Sequence, residues 1–258
     1  MRHQEGGSGP SVADRVFVVL EACAASDRPL SLAELTRRTG LPKTTLHRVC
    51  WKLVKLGLLE YRERGFDIGT KLFALGSMNA RLRQLRTIGM PFLQALATDS
   101  RQIVNLAVQS DAQALIVEEI FGARAPTVTP MGGARMPLHA TAIGKALSCG
   151  MCEDELAARF QAPALAPFTR YTIVRTNLLV QHLRGVRATG LAFSHEEWRM
   201  GTSAVAAPVI VDGTVVAAVA VIGRTDKTAM RWVADPVRRT AQAFSAALGE
   251  QWTPIGLA

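Results

Sequence analysis

Side chains that can hydrogen-bond to nucleic acid are concentrated in one short part of the chain. Lysine and arginine neutralise phosphates, arginine forms paired hydrogen bonds with guanine, and threonine hydroxyls contact bases or the backbone. We therefore take seven residues of these types between positions 43 and 64, with one histidine, as candidates for DNA contact. They are Lys43, Thr44, Thr45, His47, Arg48, Lys52, Arg62 and Arg64.

The positive charge of the chain is concentrated in the same segment. The 258 residues include 30 Lys and Arg against 21 Asp and Glu, a net charge of +9, and the isoelectric point is near 10.0. Positions 31–71 hold nine basic and four acidic residues, a net charge of +5. The rest of the chain has the charge of an ordinary solvated surface, so the segment is where a polyanion would bind.

Helix-capping signals precede the candidate residues. Ser31 followed by Glu34 is a capping box that predicts a helix start, and Gly40 suits the left-handed residue at the end of that helix. Ser11 and Asp14 form a similar box for an earlier helix. Two helices therefore come before the basic cluster.

A third helix and a hairpin complete a winged helix-turn-helix. Pro42 suits the first turn of this helix and Gly57 ends it, while strand patterns at 58–61 and 66–68 predict a hairpin with Arg62 and Arg64 near its tip. The candidate DNA contacts on the helix lie off its apolar stripe. A helical hairpin with solvated charges has the same pattern. The stripe consists of Leu46, Val49, Cys50, Leu53 and Leu56.

The remaining sequence predicts an α+β domain. Positions 1–10 are expected to be a disordered tail, 11–69 a winged helix-turn-helix, 70–90 a connector helix and 91–258 an α+β domain. We expect the connector pattern, which runs to about 98, to be stopped and redirected at Gly89-Met90-Pro91. The further strands are predicted at 103–108, 115–120, 127–129, 191–194, 204–211 and 214–222, and the helices at 139–148, 153–160, 174–188 and 235–248.

Other reactive side chains fit structural roles better than catalytic ones. Cys149 and Cys152 form a C-x-x-C, but no second cysteine pair accompanies them, so we expect two ordinary thiols. His139 is expected to cap or pack against a helix, and Glu196 and Glu197 to form structural hydrogen bonds, so that His139, His195 and Glu196 are set aside as catalytic candidates. The run at 132–146 has His139 and Ala146 where a phosphate loop needs glycine and a hydroxyl. We expect no catalytic residue, no metal and no cofactor.

Three blocks of sequence resemble the IclR family of bacterial transcription regulators. They are SLAELTRRTGLPKTTLHRVCWKLVKLGLLEY at 31–61, RMPLHATAIGKAL at 135–147 and EEWRMGTSAVAAPV at 196–209. Their order and spacing are those of the family and cover nearly the whole chain. The resemblance implies that 91–258 is a GAF-like effector-binding and oligomerisation domain. It also implies a homodimer or homotetramer and a palindromic operator in double-stranded DNA.

The resemblance also implies an effector cavity. By position its lining would be Val128, Met136, Ala142, Ile143, Ser194, Ala204, Ala220 and Ile222. Members that bind small acids have aspartate at position 194, cysteine at 204 and serine at 220 and 222, so this lining should keep mainly one hydroxyl and backbone N–H groups. An unpaired polar group costs about 1–3 kcal/mol, which favours a larger or more apolar effector, such as an aromatic or branched acid held near Ala142 and Ile143.

The function expected from these features is ligand-responsive regulation of transcription. Repression of a catabolic or metabolic operon is the default, because a bound dimer blocks polymerase without further contacts, and activation by the same architecture stays open. A small-molecule enzyme or sensor with an incidental basic face is the competing class. The N-terminus lacks the apolar core of a signal peptide and no apolar run approaches ~18 residues, so we expect a cytoplasmic protein without a membrane partner.

Overall fold

The computed structural model describes residues 11–125, 132–160, 165–225 and 227–251. The expected tail at 1–10, the expected strand at 127–129 and Val128 lie outside these residues. The chain divides into two compact units, 1–80 and 81–258. Among the described helices, none combines the length and the apolar character that crossing a membrane requires.

The first unit is a three-helix core with a hairpin. Ser11 and Ser31 both form the capping boxes that the sequence predicts, and Gly40 ends the second helix at φ 69°. Phe66 extends the hairpin by pairing with Leu30, so the wing is anchored to the segment before the second helix. The elements are α1 (Val12–Ala24), α2 (Leu32–Thr39), α3 (Lys43–Lys55), β1 (Leu59–Arg62), β2 (Gly65–Ile68) and α4 (Thr70–Ser77).

The apolar stripe of α3 forms much of the core of this unit. Leu46, Val49, Cys50 and Leu53 are buried with residues of α1, α2 and the hairpin. Leu56 was predicted to belong to this stripe but is exposed, because it is the residue at which α3 ends. The helix is therefore held by one face, and its other face is solvated.

The second unit is built on a six-stranded antiparallel sheet with the order β5-β4-β3-β8-β7-β6. Long pairings join β3 to β4 and β8, and β7 to β8, where Asp212 and Gly213 make the two-residue turn that the sequence predicts. The elements are α5 (Ala80–Ser100), β3 (Ile103–Ser110), β4 (Gln113–Phe121), β5 (Arg135–Pro137), α6 (Ala142–Ser148), α7 (Glu153–Arg159), α8 (Thr176–Thr189), β6 (Ala192–His195), β7 (Thr202–Val211), β8 (Thr214–Arg224), α9 (Lys227–Trp232) and α10 (Ala234–Gln251).

Helices cover both faces of this sheet. One core contains buried residues of α5 and α10 and one set of strand side chains, such as Val104 and Leu106 of β3. The other contains α6, α7 and α8 with the alternate set, such as Ala107 of β3. Since successive side chains of a strand point to opposite faces, each central strand contributes to both cores. The fold is the α+β arrangement that the sequence predicts.

The prediction for the connector was wrong. One helix was expected from 70 to about 98 with a stop at Gly89-Met90-Pro91, but α4 ends at Ser77 and α5 runs unbroken through Pro91. Leu85, Leu93 and Leu96 of α5 are buried against the sheet, so tertiary packing on both sides of Pro91 outweighs the lost backbone hydrogen bond.

Other boundaries differ for local reasons. The helix expected from 139 begins at Ala142 because the Thr141 side chain caps it by accepting from the N–H of Gly144. The sequence predicted neither β5 nor α9, each of which is too short to show a period. The other predicted elements that fall within the described residues occur within a few residues of their expected ends.

Gly89 is needed for close packing of α5 and α10. A Cβ added at this position would lie 2.7 Å from Phe244 Cζ, and the Phe244 ring is fully buried and stacked on Phe92. We expect Gly89→Ala to lower the free energy of unfolding by about 1–3 kcal/mol through overpacking. Urea unfolding followed by circular dichroism measures this change.

The matched control is Gly185→Ala in α8. A Cβ added there meets nothing within 4 Å, so the substitution should raise stability by up to about 1 kcal/mol through helix propensity. Equal effects of the two substitutions would contradict the role given to Phe244.

Candidate functional site

The first candidate surface is the solvated face of α3. Lys43, Thr44, His47, Arg48 and Lys52 are exposed there, and Thr45 is half-buried. The solvated face of α3 therefore presents all six of the predicted contacts that belong to the helix.

The start of α3 has free backbone donors. Ser11 and Ser31 cap the first two helices, but Pro42 at the N-cap of α3 provides no side-chain hydrogen bond. The first-turn N–H groups of α3 and its partial positive charge are thus available to an anion such as a phosphate.

An aromatic cluster fixes His47 and supports the hairpin. Trp51 Nε1 donates a hydrogen bond to His47 Nε2 at 3.1 Å, and the Trp51 ring lies 5.1 Å from that of Tyr61 and 5.7 Å from that of Phe66. Since the indole N–H only donates, neutral His47 must carry its proton on Nδ1 and present a donor. Sequence reasoning missed Trp51, although its i+4 spacing from His47 was visible.

The two arginines predicted at the hairpin tip are not equivalent. Arg62 forms ion pairs with Asp67 at 3.1 Å and with Glu60 at 3.4 Å. Arg64 has no ion pair in the part of the chain that the structure describes, and with Glu63 it forms the turn in the left-handed region. Arg64 is therefore the more available of the two for a polyanion.

The second candidate site is a cavity in the second unit. Its volume is about 990 Å³, within the range of sites for drug-sized ligands. The sheet, the start of α6 and the loop between β6 and β7 form its walls. Of the eight residues predicted to line an effector site, all but Val128, which is not described, border it: Met136, Ala142, Ile143, Ser194, Ala204, Ala220 and Ile222.

The chemistry of this cavity differs from the expectation. The lining was expected to offer mainly one hydroxyl and N–H groups, but Arg124, Arg199, Arg224 and Glu119 also border the cavity, as does the buried Ser203. The three arginines are exposed, so they lie at the rim. Sequence reasoning missed them because they come from three distant segments with no shared pattern.

Trp198 and Arg199, two neighbouring residues of the lining, are in contact. The guanidinium carbon of Arg199 lies 4.9 Å from the centre of the Trp198 ring, and both residues line the cavity. Trp198 also packs against the core that contains α6 and α8, so the aromatic side chain has a packing role. Met200 is exposed.

A buried ion pair supports the wall of the cavity. Lys145 of α6 has 0% of its side chain exposed, and its Nζ lies 2.7 Å from Glu197 Oε1. The Thr172 hydroxyl donates to the Glu197 carbonyl at 2.6 Å. Burial lowers the pKa of Lys145, and the attraction of Glu197 opposes that shift. The pair ties α6 to the β6–β7 loop.

The residues set aside as catalytic candidates have structural contacts. His139 Nε2 lies 3.0 Å from the Ala166 carbonyl and its ring packs on Phe168, whereas Thr141 makes the cap. Glu196 accepts from the N–H of Gly201, and His195 Nδ1 lies 2.9 Å from Ser203 Oγ.

The two cysteines of the C-x-x-C have different surroundings. Cys149 is buried, which raises the pKa of its thiol, and Cys152 caps α7 by accepting from the N–H of Glu155. The described residues contain no cluster of three or more His, Cys, Asp or Glu able to hold a metal ion.

A winged helix-turn-helix unit and an α+β unit with a ligand-sized cavity define a ligand-responsive DNA-binding regulator. Residues 12–63 match the IclR helix-turn-helix domain, and residues 79–246 match the C-terminal domain of bacterial IclR transcriptional regulators. The chain therefore belongs to the IclR family of bacterial transcriptional regulators, a family of regulators and not of enzymes.

Curated relatives agree with this assignment. The chain is 32% identical over 196 residues to the acetate operon repressor of Salmonella typhimurium, covering 74% of this chain and 72% of that protein. It is 31% identical over 197 residues to the transcriptional repressor IclR of Escherichia coli, covering 75% and 72%. Identity to the Escherichia coli repressor AllR is 27% over 93% of this chain and 91% of the relative.

Solved structures share the fold. An IclR homologue from Microbacterium hydrocarbonoxydans complexed with 4-hydroxybenzoate superposes with a TM-score of 0.81 at 22% identity, covering 92% of this chain and 99% of that one. The IclR transcriptional regulator from Alicyclobacillus acidocaldarius gives a TM-score of 0.79 at 23% identity, covering 93% and 99%.

The burial of His182 on α8, near the charge of Lys145, should make the stability of the fold depend on pH. Burial, and then the positive charge of Lys145, lower the pKa of His182 to about 4, against 6.5 in the unfolded chain. As pH falls from 6.5 to 4, the unfolded chain binds a proton that the folded chain does not, so stability falls. After solvent screening this loss should be on the order of 1 kcal/mol.

His182→Gln is the comparison. Urea unfolding of both proteins between pH 7.5 and 4 should show a weaker loss of stability in the variant, and an NMR titration of the wild-type ring should have its midpoint near 4. Parallel stability curves, or a midpoint near 6.5, would refute the assignment.

Proposed function

We propose that this regulator is a repressor that binds a two-half-site operator as a homodimer or homotetramer and responds to a small organic acid. The observation that carries the effector part is the arginine rim around a cavity with a largely apolar interior. For the DNA part it is the basic, uncapped start of α3. The relatives named above as repressors support the direction of regulation.

We assign the reading of DNA to the start of α3. Lys43 and the first-turn N–H groups hold a phosphate, while Thr44, Thr45 and Arg48 face the major groove. His47, oriented by Trp51, donates from Nδ1, and Lys52 with Arg64 contacts the flanking backbone. Arg62 contributes less, because its two ion pairs already offset its charge.

Oligomerisation is expected because the recognition helix α3 is short. One helix of 13 residues contacts few base pairs, and two copies on two half-sites multiply the discrimination. Sequence-specific binding therefore requires the homo-oligomer.

Arg48→Ala should weaken specific binding by about 1–3 kcal/mol and leave the fold intact, because Arg48 is exposed. The measurement is a mobility-shift titration with the DNA upstream of the protein's own gene, at several salt concentrations, against scrambled DNA. The matched control is Lys55→Ala, which removes the same charge from the last turn of the same helix and should change affinity little.

A second variant tests the orientation of His47 without changing the charge of α3. Trp51→Phe keeps an aromatic ring against Tyr61 and Phe66 but removes the N–H that His47 accepts, so it should reduce specific more than non-specific binding. Equal affinity of the wild type for operator and scrambled DNA would overturn the whole DNA assignment.

The effector is assigned to the class of large or aromatic acids. Its carboxylate pairs with the rim arginines, and its apolar part fills the space beside Met136, Ile143 and Ile222. The 4-hydroxybenzoate complex of the Microbacterium hydrocarbonoxydans homologue supports this class. The effector changes DNA binding only if it binds the DNA-competent state and the released state with unequal affinity.

Benzoate and its hydroxylated derivatives should bind the wild type more tightly than glyoxylate or pyruvate, which fill little of about 990 Å³. Arg199→Gln should weaken the binding of the aromatic acids by up to about 1 kcal/mol, because one solvent-screened charged partner is lost. Isothermal titration calorimetry checks both statements.

Arg231→Gln is the control for this experiment. Arg231 is an exposed arginine on α9 and does not line the cavity, so its removal should leave the affinity unchanged. Tight binding of glyoxylate or pyruvate, together with no binding of aromatic acids, would refute the assignment of the effector class.

A further inference from the structure

Asn105 belongs to the face of the sheet that borders the cavity. It lies on β3 between Val104 and Leu106, both of which point into the core with α5 and α10. Since side chains alternate along a strand, Asn105 points to the opposite face, together with Ile103. Ile103 is one of the residues that line the cavity.

The neighbouring strands place cavity residues on both sides of Asn105. It pairs directly with Glu119 of β4 and with Ala220 of β8. Directly paired residues project from the same face, and both partners line the cavity. Asn105 therefore lies at the inner side of the cavity, between two lining residues.

The amide of Asn105 has no hydrogen-bond partner within the described part of the chain. The residue is 0% exposed, and both Oδ1 and Nδ2 are buried without a partner. Leaving a buried polar group unpaired is unfavourable, and most such groups in proteins are satisfied. A β-bulge follows immediately, between Leu106 and Ala107, and such irregularities are frequent beside binding sites.

On the side of β8, little side-chain material lies beside this amide. Ala220 beside it and Ala107 two residues along β3 offer only methyl groups on this face. Because Asn105 has no exposed surface, a ligand must uncover the amide by a local shift of the residues that line the inner wall.

We propose that Asn105 is an effector-binding residue that recognises a hydroxyl or carbonyl group at the end of the ligand opposite its carboxylate. This inference rests on the proposed function, in which the carboxylate lies at the arginine rim. The amide both donates and accepts, so a phenolic hydroxyl satisfies either atom. The ligand class is an acid with an apolar middle and a polar group at the far end.

The test compares benzoate, 3-hydroxybenzoate and 4-hydroxybenzoate by calorimetry on the full-length wild type and on Asn105→Val. At least one hydroxylated acid should bind the wild type about 5- to 100-fold more tightly than benzoate, since the hydroxyl finds a buried partner. In the variant this preference should fall below twofold, while the affinity for benzoate stays within about twofold.

Two controls keep the result specific. Arg231→Gln changes a residue that does not line the cavity and should keep the preference for the hydroxyl. Thermal unfolding without ligand should give Asn105→Val a melting temperature no lower than that of the wild type, because valine suits a strand and no partner of Asn105 is lost. If the valine variant fails to fold, Asn105→Ala replaces it in the titrations.

The outcomes separate this proposal from the one on which it rests. If none of the acids binds the wild type, the proposed effector class fails and the role of Asn105 with it. If the acids bind but the hydroxyl gives no gain, or if the variant keeps the gain, only the role of Asn105 is refuted. A large loss of thermal stability in both Asn105 variants also refutes it, because the amide would then support the fold.

Discussion

The buried ion pair between Lys145 and Glu197 is the interaction on which the wall of the cavity depends. Removing two charges from water is costly, and the loss is offset only when the pair is close and well hydrogen-bonded. Here the two atoms are 2.7 Å apart, although Glu197 Oε2 has no partner among the described residues. Breaking the pair would leave an uncompensated charge beneath α6, so α6 and the β6–β7 loop are held in one arrangement.

This constraint explains how one sheet supports both a rigid core and a cavity. The face covered by α5 and α10 is packed with aliphatic and aromatic side chains around Phe244. On the other face, alanines of the central strands are small, and α6 is short and entirely buried. Space for a ligand therefore arises where small strand residues meet a helix that the ion pair keeps in position.

Much of the fold could be predicted from the sequence, because its signals are local. Capping boxes at Ser11 and Ser31, the glycine at position 40 and the turn at Asp212-Gly213 act over a few residues and occur as predicted. The continuation of α5 through Pro91 could not be predicted, because packing of the helix against the sheet determines it. For the cavity, the family resemblance indicated Ile143 and Ser194 correctly as lining residues. The arginine rim and Asn105 could not be predicted, because they depend on strand pairing that no local pattern reveals.

The two kinds of polar group at the cavity have different consequences for selectivity. Exposed arginines at the rim attract many acids and discriminate weakly, because water screens their charge. A buried amide attracts no ligand from a distance, but it makes a bound ligand without a matching group less stable than one that has it. A regulator that must distinguish one acid from its close analogues therefore needs a buried polar contact in addition to the rim. In this chain, Asn105 on the central strand β3 is buried, and its amide atoms have no partner among the described residues, which is what such discrimination requires.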